Sequence, residues 1–147
     1  MPWSSLWQGG GGGSVAGAFI AHLDYTHAQM LVGDTPREIL AAPGVGLIAM
    51  PTQVVVLQNF VAGYGSARGW NVRYSGVVNA LITTAAITSL AGVELQNSLG
   101  APAYSALTAE ADFVNHALDI LWSGTAGGGG NVANVGDVWV RYLLITR

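Results

Sequence analysis

The chain has 147 residues, a net charge of −3 and no cysteine, which fits one domain with a substantial core and excludes disulfide frameworks and thiolate metal sites. Only 9% of its residues are charged and lysine is absent, against about 25% charged residues in ordinary domains. Its cations, Arg37, Arg68, Arg73, Arg141 and Arg147, are dispersed along the chain, whereas a phosphate-binding face needs them clustered, so nucleic acid is excluded as a partner.

Residues 1–14 read as an arm. Gly9 to Gly13 are five consecutive glycines followed by Ser14, a run whose backbone entropy opposes helix and strand alike. Ahead of it stand Trp3, Leu6 and Trp7, large apolar side chains in a segment too short to bury them. The arm is expected to be a flexible leash that anchors on a neighbouring subunit. Fourteen extended residues reach about 45–50 Å. The other reading folds the tryptophans back on their own domain. The first residues lack the basic and apolar regions of a secretory signal.

From residue 15 to 147 the pattern is strands broken by turns. Phe19 to Tyr25 reads as a first strand and Gly33-Asp34-Thr35-Pro36 as a turn. Arg37 to Ala41 gives a short strand, and Ala42-Pro43-Gly44-Val45-Gly46 breaks it. Leu47 to Ala62 is the longest apolar run, and its Val54-Val55-Val56 favours strand. Pro51 points to an edge or bulge. Gly63 to Ser66 is a loop, Trp70 to Tyr74 a strand, and 80–87 leans to strand although a helical stripe also fits. Tyr74 to Val93 carries no formal charge, but its threonines, glycines and Asn79 make it too weakly apolar for a membrane span. Ser98 to Asp112 reads as loop, Phe113 to Trp122 as strand, and Thr125 to Asn131 as a mobile glycine-rich loop.

Asp137 to Thr146 is the clearest strand. Alternation puts Val138, Val140, Tyr142 and Leu144 on one face and Trp139, Arg141, Leu143 and Ile145 on the other. Both faces are largely apolar, so one packs in the core and the other needs a second layer or another subunit. A monomer of this mass exposes about 7,000 Å², more than five basic and eight acidic side chains can cover. Exposed apolar patches of that kind mark contacts with other chains. The fold class expected is all-β: an antiparallel β-sandwich, jelly-roll-like, as a single domain behind a flexible glycine-rich arm.

No constellation calls for catalysis, a cofactor or a metal. His22 and His27 are five residues apart, on opposite faces of one strand unless a turn intervenes, and His116 is distant. Glu110 and Asp112 pair by spacing, but nothing else suggests a glycosidase cleft. Neither glycine run leads into Lys-Ser/Thr, so neither is a phosphate loop. Tyr64, Trp70 and Tyr74 cluster near a glycine-rich loop. Their rings are candidates to stack on a host sugar, and serve equally well as core or interface filler.

The order of these segments has a further meaning. A glycine run precedes a short strand and turn, then Ala41-Ala42-Pro43-Gly44-Val45-Gly46, then Met50-Pro51 opening a Val-rich strand, with Gly136-Asp137-Val138-Trp139-Val140-Arg141-Tyr142 near the end. This resembles a class of small tailed-bacteriophage virion proteins, head decorations or tail-associated modules, that share an APGxGK-P turn and a terminal GD…V.V.Y strand. Leu47 stands where that class often has lysine. The resemblance implies a non-catalytic homo-oligomer, with a trimer as the first expectation. It would sit in a virion assembled in the host cytoplasm and contact the major capsid protein or other virion proteins. The expected role is capsid decoration or cement, and the alternative is a tail or fibre module that binds host carbohydrate.

Overall fold

The computed structural model describes residues 15–32, 35–65, 69–78, 80–84, 92–99, 110–122 and 129–147. Eight strands follow one another: β1 (Val15–Thr26), β2 (Arg37–Leu40), β3 (Leu47–Phe60), β4 (Trp70–Tyr74), β5 (Ile82–Thr83), β6 (Gly92–Leu99), β7 (Leu118–Trp122) and β8 (Val135–Thr146). A five-residue helix, α1 (His27–Leu31), follows β1. The strands form two four-stranded sheets, ordered β1-β8-β3-β6 and β2-β7-β4-β5, with every pairing antiparallel.

The topology has one rule. β1 pairs with β8, β2 with β7, β3 with β6 and β4 with β5, as in one long hairpin folded about the β4–β5 turn. Two further pairings, β3 with β8 and β4 with β7, form when that hairpin is rolled into two layers. The result is the jelly-roll-like sandwich expected from the strand count.

The core lies between the layers. From the first sheet Val54, Val56, Val138 and Val140 face inward with no exposed surface, and from the second Trp70, Val72, Leu118 and Ile120 meet them. Rings fill one end. Trp70 packs edge-on against Tyr25 at 4.4 Å and Trp122 at 4.8 Å, and Tyr64 packs edge-on against Trp122 at 5.5 Å and Phe60 at 5.2 Å. Edge-to-face pairs contribute about 0.5–1.5 kcal/mol each beyond their buried area. Two hydroxyls cross between the layers in opposite senses. Tyr25 on β1 donates to the Ile120 carbonyl on β7, and Tyr74 on β4 donates to the Ala49 carbonyl on β3, both at 2.9 Å.

Several elements differ from the sequence-based expectation, each for a local reason. β1 starts at Val15 rather than Phe19, and its register shifts between Val15 and Gly17. The bulge suits Gly17, whose φ of 138° lies in a region few side chains tolerate. α1 was not expected; the Gln29 side chain accepts the Thr26 N–H at 2.9 Å, one half of a capping box. The strand expected over 113–122 begins only at Leu118, because Asn115 turns the chain with φ 57°. There it accepts the Gly44 N–H and donates its own to the Leu47 carbonyl, both at 2.8 Å. Of 80–87 only Ile82–Thr83 is strand among the described residues. β6 was not read from the sequence; it is an edge strand rich in polar side chains. The expected loop over 98–112 gives way at its start to the end of β6 and closes on a single 3-10 turn, Glu110–Asp112.

Pro51 does mark a bulge. The β3–β8 register shifts between Pro51 and Gln53, and the extra residue, Thr52, donates its hydroxyl to the Arg141 carbonyl at 3.2 Å.

Burial raises the phenol pKa of both Tyr74 and Tyr25; Arg37 partly opposes the effect at Tyr25 and Asp119 adds to it. A group that ionises less readily when folded contributes stability below its unfolded pKa, about 10 for tyrosine, and that stability is lost as pH rises further. The melting temperature is therefore expected to fall steeply above about pH 10. Tyr74→Phe should lower stability near neutrality by about 1 kcal/mol through its lost hydrogen bond and flatten the alkaline slope. Thermal melts followed by circular dichroism across that range check both.

Candidate functional site

The first sheet has an inner face that makes the core and an outer face that no layer of the described residues covers. Alternation along β8 decides which residue goes where. Val138, Val140 and Tyr142 are buried, while Trp139, Leu143 and Ile145 are half-buried and Arg141 is exposed. The two-face partition expected from the sequence therefore holds, with the Trp139 face outward.

Register extends the outer face across four strands. His22 on β1, Trp139 on β8, Val55 on β3 and Asn97 on β6 form one row. The rows on either side are Asp24, Asp137, Leu57 and Leu95, and Ile20, Arg141 and Gln53. Ala18, Leu143 and Met50 form the next beyond Arg141. Ile20 is 70% exposed, Leu95 67% and Val93 71%, so apolar side chains reach both edge strands.

A small polar island sits in its middle. His22 stacks on Trp139, with ring centroids 4.9 Å apart, and its Nε2 donates to Oδ1 of Asp137 at 3.0 Å. Asp24 lies directly across the β1–β8 ladder from Asp137, so two like charges are neighbours there, an unfavourable pairing on its own. Gln53 donates to Asn97 across the β3–β6 ladder at 2.8 Å. The arrangement offers no nucleophile beside a base. What it can do is bury itself against another surface.

The sequence left Tyr64, Trp70 and Tyr74 as either ligand-facing rings or filler, and their burial favours filler. They are 4%, 0% and 1% exposed. Trp70 and Tyr74 point inward from β4, and Tyr64 is closed over by the chain at Gly129 and Gly130. Gly129 bridges to Tyr64, and the Gly130 N–H donates to the Gly63 carbonyl at 2.9 Å. A Cβ on Gly130 would stand 2.5 Å from the Tyr64 ring. The Tyr64 hydroxyl lies 3.1 Å from His27 Nδ1 and donates to Met30 Sδ at 3.8 Å. The three rings serve as core filler and leave no face for a sugar.

The histidines are separated. His22 is on the outer sheet face, His27 on α1, and His116 donates to the Ser75 carbonyl at 3.0 Å. No three metal-ligating side chains converge among the described residues. No helix among them is long and apolar enough to cross a membrane. The arm, with Trp3, Leu6 and Trp7, lies outside the described residues, as do Gly33 and Asp34 and the first half of the second glycine run, Gly127 and Gly128.

No protein-family model matches the chain, and no curated protein matches it. Among solved structures it is similar to a chain of the cyanophage Pam1 capsid asymmetric unit, with a TM-score of 0.48 and 15% identity over 95% of this chain and 91% of that one. It is also similar to a chain of the acidic stable capsid of Helicobacter pylori bacteriophage KHP30, with a TM-score of 0.42 and 9% identity over 89% and 90%. At such identities neither carries a residue's role to this chain.

The inner and outer faces should separate in a mutational test. Val140→Ala is expected to destabilise the fold by about 2 kcal/mol, whereas Leu95→Ala should change stability by less than about 0.5 kcal/mol. Urea titrations of both variants measure the difference.

Proposed function

We propose that the chain is a structural, non-catalytic subunit of a bacteriophage particle and that it decorates or cements the head shell. The observation that carries this reading is the largely apolar outer face of the β1-β8-β3-β6 sheet, which no layer of the described residues covers, in a protein with too few charges to solvate it. Its jelly-roll-like strand order is shared by viral capsid, lectin and cupin domains. The order alone does not choose among them; the apolar face and the turn and terminal-strand motifs favour the virion. The rings that a carbohydrate-binding fibre module would present are buried, so that alternative is not carried forward.

In this reading the β-sandwich of residues 15–147 sits on the shell, with the major capsid protein or other virion proteins as partners. Trp139, Leu143 and Ile145 supply apolar contact with a neighbouring subunit of the particle, at about 25 cal/mol per Å² before association costs. The arm of residues 1–14 anchors on a neighbour through Trp3, Leu6 and Trp7.

In particles purified from an infected culture that produces the chain, quantitative mass spectrometry should find many copies per particle. Electron microscopy should place them on the head. Absence from the particles would refute the reading. Deleting residues 1–8 should weaken attachment of purified protein to empty shells, measured by co-sedimentation; unchanged binding would remove the anchor from the proposal.

A further inference from the structure

The outer face carries its charges in an order that is complementary to itself. Along β8 the outward side chains run Asp137, Trp139, Arg141, Leu143. The acidic row, in which Asp24 stands beside Asp137, lies two residues to one side of Trp139, and Arg141 lies two residues to the other. Arg141 forms no ion pair among the described residues, and neither does Asp24; the carboxylate of Asp137 meets only His22. Among the described residues, a pair of adjacent carboxylates that no arginine side chain bridges and an arginine that no carboxylate bridges thus share one surface, separated by about 14 Å of strand.

We infer that this face is a two-fold contact between two copies of the chain, packed sheet to sheet with the symmetry axis running across the strands at the His22–Trp139–Val55 row. The inference rests on the assembly reading of the same face and names its occupant. Such an axis reverses strand direction while keeping strand order. Row 137 of one copy then lies over row 141 of the other, and Trp139 meets its own equivalent. Arg141 of each copy reaches the Asp24–Asp137 pair of the other and supplies the counter-charge that pair lacks. Because the operation is two-fold, the contact forms twice and closes, as an isologous interface must. This departs from the trimer first expected from the sequence.

The size agrees. Four strands of eight to fourteen residues, at about 4.8 Å spacing and about 3.4 Å per residue, give about 750 Å² per copy, or about 1,500 Å² for the pair. Stable specific interfaces bury about 1,200–2,000 Å². Ile20, Leu57, Leu95 and Leu143 provide the apolar area, and the charges set the register.

The test is a charge-reversal cycle on the full chain, read by sedimentation velocity over a concentration series. Circular dichroism melts confirm that each variant is folded. The native chain should dimerise, and more weakly at high salt. Asp137→Arg and Arg141→Asp should each weaken dimerisation by about tenfold or more. The double variant, in which both copies carry the swapped order, should recover most of that loss. A native chain that remains monomeric, or a folded double variant no better than the singles, overturns the inference. So does dimerisation lost on deleting residues 1–8 yet indifferent to the reversals, because the arm would then hold the copies together. The virion reading stands apart. Copies found in particles despite a failed cycle would sink only the two-fold contact, and a successful cycle with no copies in particles would sink only the virion role.

Discussion

The pairing of β3 with β8 is the constraint on which the rest of the structure depends. Twelve residue pairs align the two central strands of the first sheet, and that alignment decides which valines enter the core. A slip of one residue would exchange the faces of either strand. In most half-buried sheets the apolar pattern forbids such a slip. Here both faces of β8 are largely apolar, but a slip would carry Asp137 and Arg141 into the core, and polar contacts add to that restraint. Thr52 bonds the Arg141 carbonyl at the bulge. At the other end Asn134, fully buried just before β8, accepts the Val61 N–H at 2.8 Å and donates to the Ala62 carbonyl at 2.6 Å. A bulge and an amide thus reinforce a register that the two outward charges already favour.

With that register set, the economy of charge becomes intelligible. The outer face is apolar because it inherits the same β-branched and leucine-rich segments that build the core, and few ionic side chains interrupt it. Those that do are gathered near Trp139 rather than scattered. An interior sheet face and an outward one are here made from one kind of sequence, and strand alternation alone distinguishes them.

Much of this was legible in the sequence wherever a segment had strong periodicity or firm punctuation. β3, β4 and β8 stood out through valines, an isolated alternating pentapeptide and a two-faced apolar run, and Pro51 announced its bulge. β6 was hidden because an edge strand bearing Gln96, Asn97 and Ser98 has the composition of a loop. α1 was hidden because five residues are too few to show a helical period. The Tyr64, Trp70 and Tyr74 group stayed open between filler and ligand-facing rings because closeness in sequence to a glycine-rich loop does not disclose burial. The glycines instead allow the Gly129–Gly130 backbone to lie against the Tyr64 ring. The outer face was readable on β8, but its extent was not, since rows across a sheet depend on pairings between segments far apart in the chain. Gln58, which faces the core at 1% exposure from the middle of an apolar strand, follows no pattern a sequence could disclose.

The crossed tyrosines have a mechanical meaning. Because Tyr25 reaches from the first layer to the second and Tyr74 from the second to the first, any sliding of one sheet past the other must stretch both bonds together. Neither can relax by following the other. A sandwich latched in this way answers sideways load as a plate rather than as two loose leaves.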